Sequence, residues 1–292
     1  MIGPRLVAEL LAIGAEVTVL TRDPDRARSK LGNVTAVRWD LMSEPAPPEA
    51  LTGRDAVVHL AGAPVAQRWS AENKKAISDS RVVGTRNLLA GLEQAQPRPA
   101  TLISSSAIGY YGPHGEEPLD EDAPAGKDFL AEVCVDWERE AARATDLDMR
   151  VAVVRTGIVL DSDGGALGTM LTPFRLGVGG PVAGGRQYMS WIHAYDVVGM
   201  MMSALQDERW SGPVNATAPE PVTNGEFSRA LGKALHRPAL LPIPGLALRI
   251  LYGDMAELVT SGARVVPAKA LVLGYQFRHP ELGEALSSAL SS

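Results

Sequence analysis

The sequence predicts an α/β protein built on a doubly wound parallel sheet, and three observations predict it. Short apolar runs recur along the first half of the chain, and segments of helical period separate them. The runs are continuous rather than alternating, as strands buried on both faces of a parallel sheet require. Val17-Thr18-Val19-Leu20 is the first run, and a short one ending in Val37-Arg38-Trp39 follows. Ala56-Val57-Val58-His59-Leu60, Thr101-Leu102-Ile103-Ser104 and Val151-Ala152-Val153-Val154 continue the series. Between them, Leu6, Val7, Leu10 and Leu11 keep one helical face, ended by Gly14. Val82, Val83, Leu88, Leu89 and Leu92 keep another, and Phe129, Val133 and Trp137 a third. Strand–helix–strand alternation of this kind winds into a sheet with helices on both faces.

Beyond Asp161 the texture changes. Glycine and proline cluster at Gly164-Gly165, from Gly177 to Pro181 and at Gly184-Gly185, implying long shaped loops. Val214-Asn215-Ala216-Thr217 reads as a late strand returning to the main sheet, and Asn224 as the cap of a helix from Glu226 to Leu235. Pro242 and Pro244 break the chain before a helical segment near Leu246 to Ser261. The expected division is a nucleotide-binding domain over residues 1–160 and a mixed α/β capping region over residues 161–292.

Composition removes several function classes. The net charge of −6 is spread along the chain with no basic block, which argues against a nucleic-acid partner. No apolar run reaches the roughly 20 residues of a membrane span, and no leader pattern opens the sequence. One cysteine, Cys134, cannot form an internal disulfide and suits a reducing, cytoplasmic setting. The five histidines never fall at metal-ligand spacing, so no metal site is expected. A small molecule is the expected partner, and a homodimer is left open.

The opening of the chain carries the first cofactor signal. A dinucleotide site normally opens with a strand, a glycine-rich turn and a helix whose N-terminus faces the pyrophosphate. Met1-Ile2-Gly3-Pro4 followed by an amphipathic helix looks like that unit entered midway, with Gly3 as the third glycine of the turn. A helix that merely begins near a glycine is the plainer alternative. The expectation is that the functional protein begins roughly ten residues earlier, with an apolar strand and the first two glycines.

Thr21-Arg22 ends the next strand, where an acidic residue marks a preference for NAD and an arginine accommodates a 2′-phosphate. A solvated turn arginine is the alternative. Asp40 follows the second run and could accept the adenine amino group, or simply hold a turn. Leu60-Ala61-Gly62 ends the third run with small residues suited to close backbone approach, and Arg81 on the next helix could reach phosphate.

His59-Leu60-Ala61-Gly62, Ser104-Ser105-Ser106-Ala107-Ile108-Gly109-Tyr110-Tyr111-Gly112 and Arg155-Thr156-Gly157-Ile158-Val159-Leu160 together resemble the extended short-chain dehydrogenase/reductases. Asp128-Phe129-Leu130 to Cys134 with Trp137-Glu138, Pro173 to Gly177, Ser190-Trp191-Ile192-His193 and the stretch from Arg264 to Leu282 narrow the resemblance. They look like the branch called "epimerase family protein", named by similarity to nucleoside-diphosphate-sugar epimerases. The resemblance implies a Rossmann-type sheet and NADP(H) contacts at Gly3, Thr21, Arg22, Leu60, Arg81 and Ile158. It brings no substrate.

The superfamily's usual engine is a tyrosine with a lysine four residues on, the ammonium lowering the phenol's pKa for proton exchange during hydride transfer. None of the tyrosines at 110, 111, 188, 195, 252 and 275 has that lysine. Leu130 and Cys134 occupy the two positions instead. Ser106 could hydrogen-bond a carbonyl or satisfy local backbone, and Tyr111 is the replacement acid on position, or an aromatic packed under a loop. Glu132, Cys134, Arg175, Trp191 and His193 are further candidates. Two functions stay open: an NADP-dependent oxidoreductase or epimerase-like enzyme with a rearranged acid/base group, and a non-catalytic NADP(H)-binding, redox-sensing protein.

Overall fold

Why Thr101–Ala107 and Arg150–Thr156 form the centre of the sheet is visible in where their side chains go. Leu102, Val151 and Val153 enter one core, and Ile103, Ala152 and Val154 enter another on the opposite face. That two-residue alternation, with both sets apolar, is what a strand covered on both faces needs. The computed structural model describes residues 2–291.

The parallel strands are β1 (Thr18–Thr21), β2 (Thr35–Arg38), β3 (Ala56–His59), β4 (Thr101–Ala107), β6 (Arg150–Thr156) and β10 (Gly212–Ala216), with β5 a short piece at Pro118–Leu119. β10, β6, β4 and β3 lie side by side in that order, all parallel. β1 pairs with β2, Thr21 opposite Arg38, in a separate parallel ribbon. Among the described residues the free edges of β1 and β3 have no ladder partner.

Helices α1 (Ile2–Ala12) and α7 (Ala194–Gln206) supply Leu6, Val197, Val198, Met200 and Met201 to one core. Helix α4 (Ala71–Gln94) brings Leu88, Leu89 and Leu92 to the other face, and α5 (Phe129–Ala142) packs beside it. Shorter helices α2 (Pro24–Leu31) and α3 (Pro48–Leu51) join the first strands, and Gly14 turns the chain after α1 at φ +79. The architecture is the Rossmann-type α/β fold that the sequence predicts.

After β6 the chain kinks at Gly157, whose N–H donates to the Ala216 carbonyl at 2.9 Å. Strand β7 (Ile158–Leu160) leaves the main sheet to pair with β9 (Trp191–His193), after helix α6 (Gly165–Arg175) and strand β8 (Tyr188–Met189). Strand β11 (Val222–Thr223) pairs with β8 and leads into helix α8 (Asn224–Ala234). Here the expected cap is corrected. Thr223, not Asn224, caps α8, in a reciprocal box with Glu226, while the Asn224 amide accepts from Val182 N–H at 2.8 Å.

The helical stretch expected near 246–261 is also interrupted. Helix α9 (Gly245–Tyr252) stops at Gly253, φ +61, and a 3₁₀ turn (Gly253–Ala256) precedes the one-turn helix α10 (Glu257–Thr260). Strand β12 (Arg264–Val265) then pairs with β5, followed by α11 (Ala268–Val272) and α12 (Leu282–Ser291). Among the described residues no helix is long and apolar enough to cross a membrane.

Candidate functional site

The loops and helix N-termini that follow β1, β3, β4 and β6 gather at the carboxyl edge of the sheet, where open α/β folds bind ligands. At one end, Thr21 Oγ1 accepts from Asp23 N–H at 3.2 Å, and Asp23 accepts from Arg26 N–H to cap α2. Between them Arg22 is exposed, and its guanidinium has no partner among the described residues. Asp40 is committed elsewhere: its oxygens accept from Met42 N–H at 3.1 Å and Ser43 Oγ at 3.2 Å. It is the carboxylate of a turn. Gly3 meets the end of β3, but an added Cβ would stand 3.8 Å from Leu60 Cδ1, an ordinary contact, so packing alone does not demand glycine there.

Further along the edge, the Leu60–Ala63 segment lies against Arg81. An added Cβ on Gly62 would sit 3.2 Å from the Arg81 Cζ, so glycine is what lets this backbone approach the guanidinium. Arg81 Nη1 donates to the Ala63 and Ile77 carbonyls at 3.1 and 3.0 Å, and the group lies 5.0 Å from the Trp137 ring centroid. Burial pulls its pKa down. Ser80 Oγ holds Ala63 N–H at 2.8 Å. His59, behind them, is buried with Nε2 unpartnered, and burial, then Arg81, holds it at about 4.

Ser106 and Tyr111 are brought into one hydrogen-bonded chain. Ser106 Oγ donates to Glu138 Oε1 at 2.6 Å. Arg155 grips Glu138 through Nε–Oε1 at 2.9 Å and Nη2–Oε2 at 2.8 Å. Arg155 Nη1 donates to the Tyr111 hydroxyl at 2.9 Å, and that hydroxyl donates to Asn215 Oδ1 at 2.7 Å. Glu121 closes the chain by accepting from Asn215 N–H at 2.9 Å and Lys269 N–H at 3.1 Å. Tyr111 is fully buried, and burial pushes its hydroxyl up to about 12 against the pull of Arg155. Its surroundings are those of a structural hydroxyl.

Helix α5 sets this geometry. Asp128 caps it, accepting from Leu130 and Ala131 N–H. Leu130, Cys134 and Glu138 follow at four-residue steps and share a face. Leu130 and Cys134 face Gly109, and Glu138, one turn on, reaches Ser106. The Cys134 thiol is buried and pushed up to about 11 by burial and Glu138, unlike a reactive thiolate. Glu132 is exposed on another face.

The other candidates scatter. Ile158 is half-buried in β7, in register with Trp191. Trp191 is buried, its indole N–H donating to the Glu220 carbonyl at 3.2 Å. Arg175 is exposed at the end of α6. His193 is buried, Nδ1 accepting from Tyr195 N–H at 3.2 Å, with its ring 3.9 Å from that of His279. Burial and His279 hold it at about 4.

Sequence reasoning missed Glu138 as a partner of Ser106. The four-residue spacing from Cys134 was the available signal. Arg155, Asn215 and Glu121 come from distant segments and left none.

The NAD dependent epimerase/dehydratase family matches residues 1–216, and a domain of unknown function matches residues 243–289. The chloroplastic "Epimerase family protein SDR39U1 homolog" of Arabidopsis thaliana is 40% identical over 291 residues, spanning 99% of this chain and 84% of that one. "Epimerase family protein Mb2239" of Mycobacterium bovis is 42% identical over 291 residues, 99% of this chain and 94% of the relative. The crystal structure of human epimerase family protein SDR39U1 (isoform 2) with NADPH superposes with a TM-score of 0.89 at 34% identity, covering 100% of this chain and 96% of that one. A UDP-galactose 4-epimerase, at 20% identity and a TM-score of 0.74, shares the fold over 99% of this chain and 94% of that one.

Proposed function

The chain belongs to the NAD dependent epimerase/dehydratase family, and from that premise we propose that it binds NADP(H) and acts as an oxidoreductase or epimerase-like enzyme on a small molecule. The observation that carries the cofactor reading is Arg22, an exposed and unpartnered guanidinium at the end of β1, where a carboxylate would favour NAD. The NADPH in the human relative's structure supports it. Arg22 would take the 2′-phosphate, and Gly62 would let Leu60 to Ala63 approach the dinucleotide beside Arg81; the family resemblance adds Ile158 as a further contact. When bound, the cofactor would supply a hydride in its reduced form and accept one in its oxidised form.

The proton is the chain's task, and no tyrosine–lysine pair is there to move it. Glu138, on the helix face where that pair belongs, and Ser106, at the end of β4, are the couple left. With an alcohol as substrate and the oxidised cofactor to take its carbon-bound hydride, Ser106 Oγ would take the hydroxyl proton and pass its own to Glu138 Oε1; with a carbonyl and the reduced cofactor the protons would run the other way. Arg155 holds both Glu138 oxygens in place for that transfer.

A second reading, NADP(H) binding without turnover, is favoured by one observation: the Ser106 proton is already committed to Glu138, and Tyr111 is saturated and buried. Titration with NADPH and NADH, followed by a panel of aldehydes, ketones and sugar nucleotides, separates the readings. Tighter binding of NADPH is expected, and its oxidation by at least one carbonyl. Equal affinities end the cofactor reading; tight binding with no oxidation across the panel favours the second.

A further inference from the structure

The C-terminal segment, matched only by a domain of unknown function, includes a strap with unusual attachments. At its near end Ile243 is bonded in both directions, its N–H to the Pro181 carbonyl and its carbonyl to Ala183 N–H, both at 2.9 Å. At its far end the Val259 carbonyl accepts from Gln187 Nε2 at 2.8 Å. Between these anchors, among the described residues and apart from the local bonds of Thr260 and Ser261 to Ala256 and Glu257, the one hydrogen bond or ion pair to the rest of the protein joins Asp254 Oδ2 to Lys74 Nζ at 2.9 Å. Helix α9 buries none of its residues: Leu246, Ile250 and Leu251 are 71%, 77% and 71% exposed.

Lys74 is placed by the cofactor half. Arg81 is level with Ala63, just past the end of β3. The seven residues back to Lys74 therefore carry α4 about 10 Å beyond the sheet's carboxyl edge, at 1.5 Å per residue. There the ammonium lies 5.7 Å from the Trp69 ring centroid and 5.3 Å from that of Phe129. These two rings, from the starts of α4 and α5, meet edge to face at 5.3 Å. One cation thus joins both helix N-termini and the strap.

We propose that residues 245–258 form a lid over the cofactor cleft, fixed at both ends and latched in the middle by Lys74–Asp254. This rests on the NADP(H) reading above. An exposed ion pair is weak, enough to set a gate's opening rate without setting the fold's stability. Opening swings the strap away from Trp69 and Phe129 and frees the cleft; closing restores the ion pair.

The test uses the full chain with NADPH. Hydrogen exchange of the 245–258 amides and stopped-flow release of NADPH are measured for the native protein, Asp254→Asn, Lys74→Gln and the double exchange Lys74→Asp/Asp254→Lys. Each single variant should raise both rates about two- to fivefold, as loss of a weak exposed ion pair would, and the double exchange should bring them back. Raised exchange with unchanged release would show a loose strap that is no lid, and unchanged exchange would show no latch. Either overturns the proposal while the cofactor reading stands. A chain that binds no NADPH ends both.

Discussion

Arg155 holds both oxygens of Glu138 in a pair that is almost wholly out of solvent, the two side chains 3% and 13% exposed. Strand β6 and helix α5 are thereby joined beneath Ser106. A buried pair broken on one side leaves an uncompensated charge, so Glu138→Ala should cost about 3–5 kcal/mol in urea unfolding. Glu138→Gln, which keeps an acceptor for Arg155, should cost clearly less. Equal stability of Glu138→Ala and the native chain would show that the pair does not hold the fold.

Tyr111 gives the second prediction. Its hydroxyl donates to Asn215 and accepts from Arg155, and the ring is fully buried. Tyr111→Phe should destabilise by about 1–3 kcal/mol, the cost of buried partners left unsatisfied. NADPH affinity should not move. A large loss of cofactor binding or turnover at unchanged stability would return Tyr111 to the list of catalytic acids.

The fold was legible because its signals are local. The runs at Leu102 and Val151 announce two-faced burial, and Gly14 announces the end of α1. Arg22 was legible as a candidate for the same reason: it stands one residue past a readable strand. The cap of α8 was misplaced although Glu226, three residues after Thr223, completes a readable box. The Gly253 break was missed because hydrophobic period runs across it, and a left-handed glycine interrupts a helix without disturbing that period. The roles of Ser106 and Tyr111 were not legible at all. They depend on Arg155, Asn215 and Glu121, which the sheet brings together from three separate segments, and no spacing records that.

Histidine burial sets a pH limit. His59, normally near 6.5, is held at about 4 in the fold by desolvation and then Arg81. Between those two values the unfolded chain takes a proton that the folded one refuses, so acid favours unfolding. Stability should fall by about 1.4 kcal/mol per pH unit from this group across that window, and by about 3 kcal/mol in all. His193, also held at about 4, adds to it. Thermal melts from pH 7.5 downward should show the decline, and His59→Gln should flatten it. A slope unchanged by that substitution would assign acid lability elsewhere.

Two glycines in α4 should respond oppositely to alanine. A Cβ on Gly91 would run into the backbone carbonyl of Ala46, which cannot retreat without moving the chain. A Cβ on Gly84 would meet the tip of the Leu41 side chain, which can rotate. Gly91→Ala should therefore cost about 1–3 kcal/mol through overpacking. Gly84→Ala should be close to neutral, the clash offset by the roughly 1 kcal/mol that alanine gains over glycine inside a helix. Parallel urea curves for the two variants check the difference.

Arg22 carries the last prediction, and the carboxylates around it explain why. Asp23 is occupied as the cap of α2, Asp25 pairs with Arg28 at 2.5 Å, and Asp40 spends its oxygens on its own turn. Arg22 is left with no internal counter-charge, and Arg38, exposed opposite Thr21, adds to the positive field. An anion at this edge would meet a guanidinium that surrenders no existing ion pair to bind it. A 2′-phosphate is the feature that separates NADPH from NADH, so Arg22→Ala should weaken NADPH about tenfold, or 1.4 kcal/mol, within the range for a charged hydrogen bond partly screened by solvent. NADH affinity should hardly change. Because the site is exposed, raising the salt concentration should erode the native preference in the same direction. Arg22→Asp should go further, placing a carboxylate where it repels the phosphate and can accept from the ribose hydroxyls, so that NADH becomes the tighter ligand. If both variants weakened the two cofactors equally, Arg22 would be a residue of the β1 turn and the preference would have to be sought elsewhere on the edge.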